Sequence, residues 1–166
     1  MLKKYFDEQR YEEIKESDNL FFKALEIVTV LFDNDTDKGG YPYLNHLMKV
    51  YKSVTSEEEK VIALLHDVIE DKDVTKKDLI EIGFPEKVAN DVECLTRSKK
   101  DEYQDYIDKL VKSGSLEALH VKMADLKHNM DLSRIKNPTE ADFDRVENRY
   151  KRAYTKITNK LDEMEK

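Results

Sequence analysis

Apolar residues along this chain recur at helical rather than strand spacing. Leu20, Phe21, Ala24, Leu25, Ile27, Val28 and Leu31 predict a first core helix that ends before an Asp/Asn/Gly loop from Asp33 to Gly40. Leu44 to Val50 reads as a short helix. Ser56 followed by Glu59 is a capping-box pattern and starts a helix running through Val61-Ile62-Ala63-Leu64-Leu65 to an acidic end at Glu70-Asp71. Thr75 with Asp78 opens a further short helix to about Ile82, which Gly83 ends, and Pro85 stands at the start of the next, to Leu95 or Thr96. Helices follow over Tyr103 to Val111 and from Ser115 to about Asp131, the last with Leu116, Leu119, Val121, Met123, Ala124 and Leu126 as apolar surface. Asn137-Pro138-Thr139 breaks the chain before a long, charge-laced helix at about 139–163, which Thr139 and Asp142 cap.

Only four Gly and three Pro occur, and no β-type alternation persists, so the expected class is all-α. A length of 166 residues suits one domain, 1–166, with a complete core. The net charge of −7 argues against binding a nucleic-acid polymer and leaves room for a local basic pocket. The longest apolar run, Ile27 to Phe32, is too short to span a bilayer, so the expected location is the cytoplasm, with no membrane partner. Cys94 is the lone cysteine and reads as a buried, inert thiol. There is no glycine-rich phosphate loop.

The chemistry lies in His46, in the pair His66-Asp67 followed by Glu70-Asp71, and in Asp125 with Asn129. His66 and Glu70, like Asp67 and Asp71, are four apart, which predicts that all four project from adjoining faces of one helix. Two imidazoles and two carboxylates drawn from three helices suit Mn, Fe, Co, Ni or Zn better than Mg or Ca, which favour all-oxygen shells. Such a metal would lower the pKa of a water and polarise a phosphoryl group. Glu70 and Asp71, at the rim, are placed to orient the water or protonate a leaving oxygen. His120, His128 and the charged terminal helix read as ordinary surface.

Three segments carry a family resemblance: Gly40-Tyr41-Pro42-Tyr43-Leu44-Asn45-His46, Ala63-Leu64-Leu65-His66-Asp67-Val68-Ile69-Glu70-Asp71 and Val121-Lys122-Met123-Ala124-Asp125-Leu126-Lys127-His128-Asn129-Met130. Over residues 20–135 the chain resembles the HD-domain metal-dependent phosphohydrolases, and within them the hydrolase module of Rel/Spo stringent-response proteins and the small stand-alone alarmone hydrolases. The resemblance implies an HD-domain helical bundle with a central metal site. It implies a metal, usually manganese, on His46, His66, Asp67 and Asp125, catalysis by Glu70 and Asp71, and a nucleotide contact at Asn129, with Tyr43 beside it. The implied reaction removes the 3′ pyrophosphate of guanosine tetra- or pentaphosphate (ppGpp).

The departures from that pattern concern charge. Relatives usually carry an arginine shortly before the Pro-Tyr pair, where this chain has Asp37-Lys38, and another after the Asn-Met, where it has Asp131. Lys38 and Arg134 are near enough in sequence to substitute. A site with fewer cations implies weak binding of a polyphosphate. The link between His46 and His66 is also shorter than usual, and no synthetase region is expected after the hydrolase-like one. The alternatives are an HD phosphohydrolase of another small phosphorylated metabolite and a non-catalytic nucleotide-sensing HD module. The sequence leaves the oligomeric state open.

Overall fold

A 3₁₀ turn, Leu2–Tyr5, precedes α1 (Glu8–Glu16), α2 (Leu20–Leu31), α3 (Tyr43–Lys52), α4 (Glu57–Leu65), α5 (Val68–Asp71), α6 (Lys76–Glu81), α7 (Glu86–Cys94), α8 (Tyr103–Ser113) and α9 (Leu116–Met130). A second 3₁₀ turn, Leu132–Arg134, leads to α10 (Glu140–Arg145), a π-helical turn (Val146–Tyr150) and α11 (Lys151–Met164). This order comes from a computed structural model that describes residues 1–166. No strand forms, and the nearest approach to one is an isolated antiparallel bridge between Thr36 and Pro42. The all-α expectation holds. No helix is long and apolar enough to cross a membrane.

Side-chain caps set the helix starts where the sequence places them. Ser56 with Glu59, Thr75 with Asp78 and Thr139 with Asp142 each close a reciprocal capping box, and each satisfies backbone donors that would otherwise lack partners. Helix α4 is the hub. Val61, Ile62, Ala63, Leu64 and Leu65 are all buried, because α4 packs against α2, α3, α7 and α9 on its different sides. Full burial of each large side chain there contributes about 1.5–3 kcal/mol. Helix α11 closes the bundle over α8 and α9 through Ala153, Ile157 and Leu161. Lys23, itself buried, donates at 2.8 Å to the carbonyls of Lys15 and Ile82 and so caps the ends of α1 and α6 together.

Three elements differ from expectation. Helix α1 was not anticipated, since it buries only Tyr11 and Ile14 and its apolar signal is thin. The terminal helix is interrupted by the π-helical turn. The helix expected to carry His66 through Asp71 breaks: α4 ends at Leu65, His66 and Asp67 form a turn, and α5 restarts at Val68. The break has a geometric reason, because neighbouring residues on a straight helix diverge by about 100°. The turn instead brings His66 Nε2 and Asp67 Oδ2 to 3.1 Å.

Candidate metal centre and cleft

His46 projects from α3, His66 and Asp67 from the turn after α4, and Asp125 from α9. His46 Nε2 lies 3.4 Å from His66 Nε2, 3.2 Å from Asp125 Oδ1 and 3.6 Å from Asp67 Oδ2, and His66 Nε2 lies 3.1 Å from Asp67 Oδ2 and 3.6 Å from Asp125 Oδ1. A transition metal with bonds of about 2.0–2.2 Å separates adjacent ligand atoms by about 3.0–3.5 Å, so His46, His66 and Asp125 form a mutually close donor set for one ion, while Asp67 approaches it from the side of the two histidines. Both histidines and Asp125 are buried. His66 Nδ1 is 2.6 Å from the Ala63 carbonyl, which fixes one ring proton there and turns Nε2 toward the other donors.

The electrostatics ask for a cation. Burial lowers the pKa of His66, but Asp67 and Asp125 outweigh it and hold the imidazolium well above the ordinary histidine range. Burial raises Asp125, while Lys122 and the two histidines pull it well below the usual carboxylate value. Lys122 is the neighbour that sequence reasoning passed over. Its ammonium lies 2.9 Å from Asp125 Oδ2 with only 12% of its side chain exposed, and it sits 5.5 Å from the Tyr106 ring centroid. A lysine three residues before an acid, inside Val121-Lys122-Met123-Ala124, was the available signal. The carboxylates of Glu58, Asp91 and Glu117 also converge, but there Lys87 already supplies the cation, bonded to Glu58 and 3.1 Å from Glu117.

A cleft of about 200 Å³ opens on the donors. Tyr43, His46, Asp67, Glu70, Asp125 and Asn129 form one part of it, and Arg97, Tyr103, Lys122, Arg145, Arg149 and Tyr150 the other. The tyrosine of the Pro-Tyr pair reaches the ligand set directly, since Tyr43 Oη donates to Asp67 Oδ2 at 2.6 Å. Asn129 Nδ2 likewise donates to Asp125 Oδ1 at 2.7 Å. Glu70 accepts from Arg97 N–H at 2.8 Å, tying α5 to the loop after α7. Asp71 is exposed on the same turn and does not line the cleft; burial of its carboxyl, then Asp67 and Glu70, raises its pKa to about 6. Lys38 and Arg134 line a small neighbouring recess that shares Asn129, Arg145 and Tyr150 with the cleft. Arg134 is paired with Asp37 at 2.9 Å.

Two sequence expectations are corrected here. The site is not short of cations: Arg97, Lys122, Arg145 and Arg149 all face it, three of them from segments read as loop or surface. Asp37 is neutralised by Arg134 and also accepts from Gly39 N–H and Tyr41 N–H, while Asp131 accepts from Ser133 and does not line the cleft. His128 is the second correction. It is half-buried, with Nδ1 2.6 Å from His46 Nδ1, and burial and His46 lower its pKa to about 4. His120 too has a partner, Glu59, at 2.5 Å. Cys94 is half-buried on α7, and burial raises its thiol pKa.

No protein-family model matches the chain. Over 104 aligned positions the chain is 36% identical to the GTP pyrophosphokinase rsh proteins of Brucella abortus and Brucella suis, in a match covering 55% of this chain and 14% of those proteins. The chain thus spans a small part of the length of these relatives. The solved structure of a metazoan ortholog of SpoT aligns with a TM-score of 0.65 at 27% identity, covering 89% of this chain and 94% of that one. That protein is described as hydrolysing ppGpp and playing a role in starvation responses. Sequence and fold thus agree on the Rel/Spo-like resemblance that the three motifs carry.

Proposed function

We propose that this Rel/Spo-like HD module is a metal-dependent phosphohydrolase that removes the 3′ pyrophosphate of guanosine 3′,5′-bisdiphosphate or of its pentaphosphate counterpart. The observation that carries the reading is the convergence of His46, His66 and Asp125 donor atoms, with Asp67 Oδ2 3.1 and 3.6 Å from the two histidines, in a cleft walled by Arg97, Lys122, Arg145 and Arg149. A metal site beside a cationic wall suits a phosphorylated anion, and the likeness to a ppGpp hydrolase names which one. Manganese is the ion we assign, from the mixed N/O donor set and the family resemblance. The reading places the enzyme in the cytoplasm, on a small nucleotide pool.

When bound by the four donors, the ion supplies Lewis acidity toward the scissile phosphoryl group and acidifies water. The chain's own residues do the rest. Arg97, Arg145 and Arg149 hold the phosphate oxygens by charge-assisted hydrogen bonds, and Asn129 keeps Asp125 oriented. Glu70 has one oxygen on Arg97 N–H and the other without a protein partner, so it is placed to orient the attacking water and take its proton. Asp71, beside Glu70 at the rim and with its pKa raised to about 6, is protonated in only about a tenth of molecules at pH 7, and it is the acid we assign to the departing ribose 3′ oxygen. Water adds to phosphorus, the bond to the 3′ oxygen breaks, and GDP and pyrophosphate leave when the tetraphosphate is the substrate.

The test is a hydrolysis screen of nucleotides, alarmones included, with Mn²⁺ present and products separated by ion exchange. GDP and pyrophosphate from ppGpp are expected. Turnover of another nucleotide with none of ppGpp would shift the assignment to a different phosphorylated metabolite at the same metal centre.

A further inference from the structure

We infer that His128 is a positioning residue for the metal centre, the group that holds His46 in its ligating tautomer. The inference rests on the metal-site reading above. His46 and His128 meet through their Nδ1 atoms at 2.6 Å, with ring centroids 4.8 Å apart and planes only 27° from parallel. This is a hydrogen bond in which a single proton lies between two imidazoles, and which ring owns that proton decides the chemistry. If His128 donates, a neutral His46 carries its proton on Nε2, the atom that faces His66 and Asp125, and that nitrogen is blocked as a ligand. If His46 donates, Nε2 is a lone pair aimed at the other donors. Metal binding therefore requires His128 to act as the acceptor.

His66 solves the same problem in the usual way, with Nδ1 on the Ala63 carbonyl. A carbonyl only accepts. His46 has no such partner, since its Nδ1 contact is an imidazole that is either donor or acceptor. His128 comes from α9, one turn below Asp125, and Asn129 beside it orients Asp125 itself. One segment thus supplies a ligand, the ligand's amide partner and the partner of a second ligand. The spacing Asp125-x-x-His128-Asn129 places all three groups on the side of α9 that meets α3.

The experiment measures Mn²⁺ affinity by chelator competition for wild type, His128→Leu, His128→Asn and His66→Ala, with circular dichroism and thermal melts confirming the fold of each. Asparagine carries its Oδ1 at the position of the histidine Nδ1 and only accepts there, whereas leucine fills similar space with no acceptor. Losing such an outer partner weakens metal binding by about 10–100-fold, so His128→Leu should fall in that range and His128→Asn should stay within about threefold of wild type. In long-range ¹H–¹⁵N spectra of the wild type, His46 should be protonated at Nδ1. Wild-type affinity in His128→Leu, with binding lost in His66→Ala, would overturn the inference and leave the metal site standing, as would a His46 protonated at Nε2. A wild type that binds no metal would overturn the parent reading and this inference with it.

Discussion

Replacing Lys122 with methionine removes one charge from the interior beside Asp125 while keeping most of the side-chain volume. The ammonium lies 2.9 Å from Asp125 Oδ2, and the two side chains are 12% and 5% exposed, so solvent screens the pair weakly. Burial disfavours the charge on Lys122, yet Asp125 and Tyr106 keep its pKa well above the ordinary lysine value. Removing one member of a buried pair costs about 3–5 kcal/mol, because the remaining charge is left uncompensated. Asn129 stays on Asp125 Oδ1 at 2.7 Å, and His46 and His66 remain 3.2 and 3.6 Å away. The metal-free variant is therefore expected at the lower end, about 3 kcal/mol less stable, or about 6–12 °C lower in Tm for a domain of this size. An ion on the four donors restores compensation to Asp125, so the deficit should shrink once Mn²⁺ is added. Urea and thermal unfolding at pH 7, on EDTA-stripped and Mn²⁺-loaded protein, measure both quantities. A loss under about 1 kcal/mol in the stripped protein, within the range of ordinary surface changes, or equal losses with and without metal, would refute Lys122 as the counter-charge of Asp125.

Glu70→Gln and Asp71→Asn should keep metal and fold but lower kcat by at least about a hundredfold, the usual scale of acid–base assistance; wild-type rates in both would make these acids surface groups. Arg145→Ala and Arg149→Ala should each raise KM for ppGpp by about tenfold or more with a smaller change in kcat. Asp131→Arg should leave KM within about twofold, because residue 131 sits on Ser133 outside the cleft, and the reverse pattern would place the phosphates on the other side of the site. Glu59 is buried, and its pKa falls from 4.5 to about 2: burial acts to raise it, but the backbone N–H groups of Ser56 and Thr55 and the imidazole of His120 prevail. A depressed folded-state value means stability that is complete above about pH 4.5 and fades as pH drops toward 2. Glu59→Gln should therefore lag wild type by about 2–3 kcal/mol at pH 6 and converge with it near pH 2, and a gap independent of pH would remove the carboxylate charge from the explanation.

What could be read in the sequence was whatever a local rule dictates. Three capping boxes are visible as Ser or Thr followed three residues later by Glu or Asp, and all three close. The four candidate donors were visible because imidazole and carboxylate inside apolar helical runs need a partner. The break at His66–Asp67 was not, since neither Gly nor Pro marks it and only convergence on a shared point bends the chain there. The π-helical turn at Val146–Tyr150 has no local signal either. His128 was misread because the partner of its Nδ1 lies 82 residues away.

The two halves of the site differ in legibility for a physical reason. A metal demands particular donor atoms at separations fixed by its bond lengths, so the residue types that could hold one are tightly constrained and leave a pattern. A phosphate wall demands only positive charge within reach, and a long, flexible arginine satisfies it from many positions. Arg97 follows α7, Lys122 lies on α9, and Arg145 and Arg149 stand on either side of the start of the π-helical turn. Apart from Arg145 and Arg149, four residues apart on one helical run, these positions share nothing along the chain, and they meet because the π-helical turn packs on α9. A count of arginines at the positions where relatives carry them therefore underestimates the positive charge of this cleft. The ion pair between Arg134 and Asp37 shows a nearby charge put to structural use, and Arg145 and Lys122, though they line the cleft, are paired in turn with Asp142 and Asp125.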